Sequence, residues 1–168
     1  MEKKKIKNLA FIDWQNLYMG TGFSVDFKKM RVYLRDKYYI EKAYYFVGFR
    51  WQENNLYENL QDAWFILVFN EKAEWLKSNK KGNIDVTLVF YAMRKYIENE
   101  FDKMLLISGD GDYKIMVDYF IEQHRFLRIL APNMKYCSSL YKKWSNFPHE
   151  YISSIADIRN VIEYTKLP

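Results

Sequence analysis

Short apolar runs alternate along this chain with longer stretches in which apolar residues recur at helical spacing. The short runs, bounded by polar or turn-forming residues, predict buried strands at 6–12, 41–49, 63–69, 104–108 and 126–130. The longer stretches predict helices that begin near Ser24 or Asp26, near Glu53, at Asp85 and at Asp112. Strands that alternate with helices indicate an α/β fold with a mostly parallel sheet and helices on both of its faces.

Two segments carry weaker patterns. The residues from Asp13 to Leu17 are turn-like and precede Gly20 and Gly22, so we expect a turn and then a loop after the first strand. Beyond Pro132 the apolar positions predict a closing helix, a short strand or turn, and a last helix. No repeat or linker interrupts the sequence, and we expect residues 1–168 to form a single domain.

Composition favours an anionic partner. The chain has 26 Lys and Arg against 21 Asp and Glu, and 19% of its residues are aromatic. A basic surface that also carries aromatic rings is typical of proteins that bind nucleic acid. A lysine-rich, solvated surface without a partner is the alternative that composition alone leaves open.

The single cysteine, Cys137, excludes an intramolecular disulfide framework and a cysteine-based zinc site, and we expect a buried, inert thiol. His124 and His149 are isolated in sequence and are predicted to be surface residues. The apolar run after the basic start is too short for a signal peptide, and no stretch is long enough to span a bilayer. We therefore expect a cytoplasmic protein without membrane contact; a homodimer is compatible with the sequence.

Four aspartates lie where predicted strands end or helices begin. Asp13 follows the first apolar run, Asp110 and Asp112 follow the run at 104–107, and Asp85 opens a helix. The carboxyl ends of parallel strands meet at one edge of a sheet, so these carboxylates are expected to converge there. Clustered carboxylates suit Mg²⁺ or Mn²⁺, which would activate water and stabilise charge on a phosphodiester. Taken singly, each aspartate is better explained by a helix cap or a turn, and it is the joint placement of all four that favours a site.

Further residues near these acids could contact a nucleic-acid substrate. Asn16 and Ser108 could orient water or donate to a phosphate oxygen, because each lies beside a predicted strand end. Lys80 and Lys81 precede Asp85 and could contact the backbone. Stacking on unpaired bases could come from aromatic residues, with the candidates being Trp14, Tyr18 and Trp51.

Four motifs together resemble those of NYN domains in the PIN-like nuclease superfamily, and more narrowly their bacterial LabA-like group. The segment from Phe11 to Leu17 resembles the opening hydrophobic-Ile-Asp-x-x-Asn-Leu, and Lys81 to Val86 resembles Lys-Gly-x-Asp-Val with one residue inserted. The segment from Leu106 to Tyr113 resembles Ser-Gly-Asp-x-Asp-Phe, which is the most specific motif of the set. A serine-bearing segment late in bacterial members is similar to Ser138 to Leu140.

The resemblance implies a PIN-like three-layer α/β/α sandwich with a central, mostly parallel sheet. It also implies Mg²⁺- or Mn²⁺-dependent endonuclease activity, usually on RNA, with single-stranded DNA as the alternative substrate. The metal-site acids of the family carry over onto Asp13, Asp85, Asp110 and Asp112, with Asn16 beside them.

The chain departs from this resemblance at one position. Many members have another acid six residues after the aspartate of the second motif, where this chain has Tyr91. The leading hypothesis is a metal-dependent endoribonuclease that hydrolyses phosphodiester bonds. Tyr91 and the basic charge keep open a nucleic-acid-binding module with reduced or lost catalysis, and the acidic edge also suits a phosphohydrolase of small substrates.

Overall fold

A computed structural model of the chain describes residues 6–48, 51–70, 84–142 and 147–165. Within those ranges the strands are β1 Asn8–Asp13, β2 Ile40–Gly48, β3 Phe65–Asn70, β4 Met104–Ile107, β5 Phe126–Ala131 and β6 Ile152–Ser154. The α-helices are α1 Trp14–Thr21, α2 Phe27–Tyr38, α3 Asn54–Asp62, α4 Ile84–Ile97, α5 Lys114–Glu122 and α6 Arg159–Ile162. Short 3₁₀ turns occur at Trp51–Glu53, Gly111–Tyr113, Ser139–Tyr141, His149–Tyr151 and Ala156–Ile158.

The strands form one sheet in the order β3-β2-β1-β4-β5-β6, and every neighbouring pair is parallel. The two strands in the middle of this order, β1 and β4, are in register at their ends, where Ile12 pairs with Ile107. The residues that follow these two strands therefore start side by side at the carboxyl edge of the sheet.

Helices cover both faces of the sheet, which confirms the predicted α/β/α sandwich. On one face, Leu88 of α4 and Phe120 of α5 pack in a core that includes Phe11. On the other face, Met30 and Leu34 of α2 pack in a second core around the alternate residues of the same strands. Side chains alternate between the faces along each strand, so both cores are filled by the apolar runs that predicted the strands.

Two features of the fold differ from the sequence-based expectations. The turn and loop expected after β1 are instead the helix α1, which Asp13 caps and Gly22 ends in the left-handed conformation (φ 71°). In the described part of the C-terminal region, the expected closing helix is replaced by 3₁₀ turns. The expected short strand of that region is present as β6, which extends the sheet beside β5, and the expected last helix is α6.

Other expectations on single residues are confirmed. Asp26 caps α2 by accepting a hydrogen bond from the Lys29 amide at 3.0 Å. Cys137 is buried, and that burial raises the pKa of its thiol. His124 and His149 are exposed.

None of the helices within the described ranges combines the length and the apolar character that crossing a bilayer requires.

Candidate metal centre

The first carboxylate of the site is placed by the end of β1. Asp13 is the last residue of that strand and is only 4% exposed. Its Oδ1 accepts a hydrogen bond from the Asn16 amide at 3.1 Å, which fixes the side chain as the cap of α1. Asp13 can cap α1 and still take part in the site, because its other oxygen, Oδ2, faces the hydroxyls of Ser108 and Tyr113.

The second and third carboxylates lie on the connection between β4 and α5. Asp110 caps the 3₁₀ turn there, since its Oδ1 accepts a hydrogen bond from the Asp112 amide at 3.1 Å. The Asp110 amide in turn donates to Ser108 Oγ at 3.1 Å. These local bonds hold the backbone of the loop in one conformation, with both carboxylates at the carboxyl edge of the sheet.

Asn16 joins the two strand ends. Its Oδ1 accepts a hydrogen bond from the Gly109 amide at 2.7 Å, so α1 is tied to the loop after β4. Gly111 packs closely against the serine-bearing segment of the fourth motif, where a Cβ would lie 2.5 Å from Ser138 Oγ. The Ser138 amide donates to the Gly109 carbonyl at 2.8 Å. The loop is thus supported from both sides.

The fourth carboxylate, Asp85, comes from the first turn of α4. Asp85, Asp110 and Asp112 each offer one carboxylate oxygen, and these three oxygens all lie within 4.8 Å of one another. The structure therefore brings three of the four predicted acids into one group. Asp13 is outside this group but is coupled to it electrostatically, since the charges of Asp85 and Asp110 both raise its pKa.

Tyr113 connects Asp13 with Asp85, and the sequence motifs alone give it no role. Its side chain is fully buried, and its hydroxyl oxygen lies 2.7 Å from Asp85 Oδ1 and 3.3 Å from Asp13 Oδ2. Burial and the two neighbouring carboxylates raise the pKa of this phenol, which keeps it a proton donor. The signal was present in the third motif, where this chain has a tyrosine at the position of the phenylalanine in the family pattern.

The electrostatics of the site favour a bound cation. Burial raises the pKa of Asp13 to about 6; the charges of Asp85 and Asp110 act in the same direction, while the hydrogen bonds from Asn16 and Tyr113 oppose the shift. In the part of the chain that the structure describes, none of the four aspartates forms an ion pair with a basic side chain. An all-carboxylate donor set without a paired cation fits a hard divalent ion such as Mg²⁺ or Mn²⁺.

The remaining candidates are placed as follows. Ser108 is fully buried, with Oγ 3.4 Å from Asp13 Oδ2. The ring of Trp14 is half-buried against Tyr45, with centroids 5.7 Å apart, whereas Tyr18 is 69% exposed. Lys80, Lys81 and the side chain of Trp51 lie outside the described residues.

Tyr91 is half-buried and packs against the core on the α4 side of the sheet. Its ring packs against Tyr44 and Phe46, with centroid separations of 5.3 and 5.7 Å. The Arg94 guanidinium lies 4.9 Å from its centroid. The position where the family resemblance implies a further acid is thus occupied by an aromatic ring.

Comparison with known proteins gives one family and one fold relative. The family model of the NYN domain matches residues 9–147; it does not assign a subgroup. The fold is similar to a solved structure, a protein of unknown function from Vibrio parahaemolyticus RIMD 2210633, with a TM-score of 0.69. The match covers 96% of this chain and 99% of the other, at 16% sequence identity. At that identity the similarity supports the fold alone. No functionally curated protein matches this chain.

Proposed function

The chain belongs to the NYN domain family of the PIN-like nuclease superfamily, and from this premise we propose that it is a metal-dependent endoribonuclease. Membership indicates a nuclease-type activity on nucleic acid. The choice of RNA, of Mg²⁺ or Mn²⁺ as cofactor and of hydrolysis as the reaction is our proposal, as is a single catalytic domain in a reducing cytoplasm. Single-stranded DNA is the alternative substrate.

The observation that carries the proposal is the convergence of Asp85, Asp110 and Asp112. Three carboxylate oxygens within 4.8 Å of one another, with no paired cation among the described residues, repel each other unless an ion neutralises them. They would hold the divalent ion, and Asp13 would add a ligand or accept a proton at the inner wall of the site. A bound divalent ion supplies stabilisation of charge on phosphoryl oxygens and lowers the pKa of water.

The protein groups around the acids would fix their geometry. Tyr113 donates to Asp85 and Ser108 lies beside Asp13, so both carboxylates are oriented before any ligand arrives. Asn16 uses Oδ1 to hold the loop, which leaves its Nδ2 as the donor that could meet a phosphate oxygen.

A second candidate function is an NYN domain that binds nucleic acid without turning it over. The observation that favours it is Tyr91, whose ring fills the helix face where many relatives carry a further acid. Fewer carboxylates lower the charge available to hold ions, and catalysis that needs a second ion would be lost while binding remained.

Asp110→Asn tests the proposal, with Asp157→Asn as the matched control. Both changes remove one negative charge, but Asp157 is exposed and belongs to a 3₁₀ turn outside the acidic group. Single-stranded RNA, structured RNA and single-stranded DNA are each incubated with Mn²⁺, Mg²⁺ or EDTA. We expect metal-dependent RNA cleavage by wild type and Asp157→Asn, and loss of at least roughly a hundredfold in Asp110→Asn.

Three other results have distinct meanings. Equal cleavage by wild type and Asp110→Asn contradicts the assignment of the site. RNA binding without cleavage by any variant supports the second candidate. Metal-dependent release of phosphate from nucleotides or sugar phosphates, with RNA left intact, identifies a phosphohydrolase instead.

A further inference from the structure

The helix α2 is strongly basic. That helix carries one acidic residue, Asp36, and its basic residues are Lys28, Lys29, Arg31, Arg35 and Lys37. The excess on this one helix is nearly as large as the formal net charge of +5 for the whole chain. Because Met30 and Leu34 face the sheet, the basic side chains lie on the outward side of the helix.

A groove of about 570 Å³ runs between α2 and the turn before β3. Its main lining residues are Lys28, Arg31, Val32, Arg35, Asp62 and Trp64. A second groove of about 610 Å³ continues on the other side of the helix and shares Lys28 and Val32 with the first. The acid Asp62 offsets only part of the positive charge around the first groove.

Trp64 presents its indole to solvent at the edge of this groove. The residue is 82% exposed and has φ 64°, a left-handed conformation that is unfavourable for a bulky side chain. Arg31 stabilises this arrangement: its Nε donates to the Trp64 carbonyl at 3.4 Å, and its Nη2 donates to the Glu41 carbonyl at 2.7 Å. The left-handed residue ends the chain reversal after α3, as Tyr39 does after α2, and it places the exposed indole beside the cations of α2.

The cations beside Trp64 are available to a ligand. Lys28 has no hydrogen bond or ion pair among the described residues, and Arg35 binds the adjacent Asp36 through Nε alone. Arg31 is different, because three of its N–H groups already serve backbone carbonyls. It is a positioning residue for Trp64, while Lys28 and Arg35 are the contacts for anions.

We propose that Lys28, Arg35 and Trp64 form a second binding surface for single-stranded RNA, the α2–Trp64 surface, separate from the acidic site. Phosphates would lie on the two cations and an unpaired base would stack on the indole, which is the usual combination for single-strand recognition. The inference rests on the proposed function for its choice of RNA. The helix α2 covers the face of the sheet opposite to α4 and α5, so this surface would hold the strand away from the cleaved bond.

The test is RNA binding in EDTA, so that its outcome does not depend on cleavage. A fluorescein-labelled oligouridine of about 20 nucleotides, long enough to cover a typical single-strand site, is titrated with wild type and two double variants. These are Lys28→Gln/Arg35→Gln and the control Lys7→Gln/Lys103→Gln, whose residues are exposed and lie outside both grooves. We expect roughly tenfold weaker binding in the first and wild-type binding in the control. The slope of log K against log salt should fall by roughly 0.7 for each phosphate that the variant no longer neutralises.

Trp64→Gly separates binding from folding. Glycine adopts the left-handed conformation without strain, so thermal stability should be retained or raised while the stacking platform is removed. We expect RNA affinity to fall roughly fivefold or more. The matched control is Tyr39→Gly, because Tyr39 is another exposed aromatic residue with positive φ (55°) but does not line either groove.

The results distinguish this inference from the proposed function. Loss of binding in the variants without any cleavage by wild type supports the surface and contradicts the endoribonuclease. If Lys28→Gln/Arg35→Gln cleaves long RNA with an unchanged KM, the endoribonuclease is supported and the α2–Trp64 surface is contradicted. The surface is also contradicted by an absence of wild-type binding at low salt, or by polyglutamate competing as well as RNA does.

Discussion

Two opposing effects act on the pKa of the Asp13 carboxyl group. Burial raises its pKa to about 6, while the amide of Asn16 and the hydroxyl of Tyr113 favour its charged form. Because the folded-state pKa exceeds the ordinary value of 3.8, the folded protein binds this proton more tightly than the unfolded chain does. The contribution to stability is therefore fully present below pH 3.8 and is lost as the pH rises through about 6.

Asp13→Asn should remove this pH dependence. Asparagine keeps the cap of α1 and carries no charge, so without divalent ions the variant should be more stable than wild type near neutral pH, by up to about 3 kcal/mol. The advantage should shrink as the pH falls towards the ordinary pKa of an aspartate. Urea unfolding of both proteins in EDTA across this pH range measures it, and a difference that stays constant with pH contradicts the assignment.

Tyr113 orients Asp85 through its hydroxyl, so Tyr113→Phe should leave the ring in place and weaken the site. We expect a loss of about 1–2 kcal/mol in unfolding free energy, because Asp85 loses its 2.7 Å donor. Affinity for Mn²⁺ should fall roughly tenfold, which isothermal titration would detect.

Tyr141→Phe is the control for Tyr113→Phe. Tyr141 is equally buried, but its hydroxyl has no hydrogen-bond partner in the described part of the chain. Removing the Tyr141 hydroxyl should leave the free energy of unfolding unchanged or slightly raised, and should not change the affinity for Mn²⁺. Equal effects of the two substitutions would show that the Tyr113 hydroxyl has no special role.

At the scale of elements, the central strands β1 and β4 were predictable because their apolar runs are buried on both faces of the sheet. The helix α1 was not, because its two glycines indicate a loop when only the local sequence is considered. Gly22 does end the helix with positive φ, but Gly20 lies inside it, where a Cβ would be 2.7 Å from Pro132 Cβ. That glycine reflects the close approach of α1 to the end of β5, which is a tertiary contact with no local signal.

The loop between β4 and α5 depends on a similar close approach. Gly111→Ala would place a Cβ 2.5 Å from Ser138 Oγ and 3.1 Å from Leu140 Cδ1, and we expect a loss of about 1–3 kcal/mol in unfolding free energy. Mn²⁺ affinity should fall as well, since Gly111 separates Asp110 from Asp112. Urea unfolding and isothermal titration give the two quantities.

Gly48→Ala is the control for the loop variant, because among the described residues the nearest atom to its added Cβ, Ile84 Cδ1, lies 4.0 Å away. A double-mutant cycle of Gly111→Ala with Ser138→Ala measures the interaction between these two positions in the free energy of unfolding. Removing Oγ should recover part of the stability that Gly111→Ala costs, whereas strictly additive effects would mean that the two residues do not clash.

At the scale of the whole molecule, sheet topology explains how much of the site could be predicted. Asp13 ends β1 and Asp110 lies just after the adjacent parallel strand β4, so their approach follows from the strand order once the strands are recognised. Tyr113 differs from the phenylalanine of the third motif, but the contacts of its hydroxyl with two carboxylates could not be predicted, because Asp85 reaches it from a distant helix. The α2–Trp64 surface was equally hidden, since Trp64 is distant in sequence from the cations that it joins.

The acidic site should couple metal binding to the stability of the entire fold. Its carboxylates repel each other in the folded state, so an ion that binds only that state stabilises it by RT ln(1 + [L]/Kd), about 2.7 kcal/mol at roughly a hundredfold excess over Kd. For a domain of this size, that corresponds to a rise in Tm of roughly 5–10 °C. Thermal unfolding with Mn²⁺ or Mg²⁺ against EDTA measures the rise.

The variants decide whether this stabilisation comes from the proposed site. Asp110→Asn/Asp112→Asn should be more stable than wild type in EDTA, because two mutually repelling charges are gone, and should show little further gain with Mn²⁺. Asp157→Asn should retain the wild-type rise in Tm. If the double variant gained as much from Mn²⁺ as wild type, the ion would be bound elsewhere, and the convergence of the three acids would have another cause.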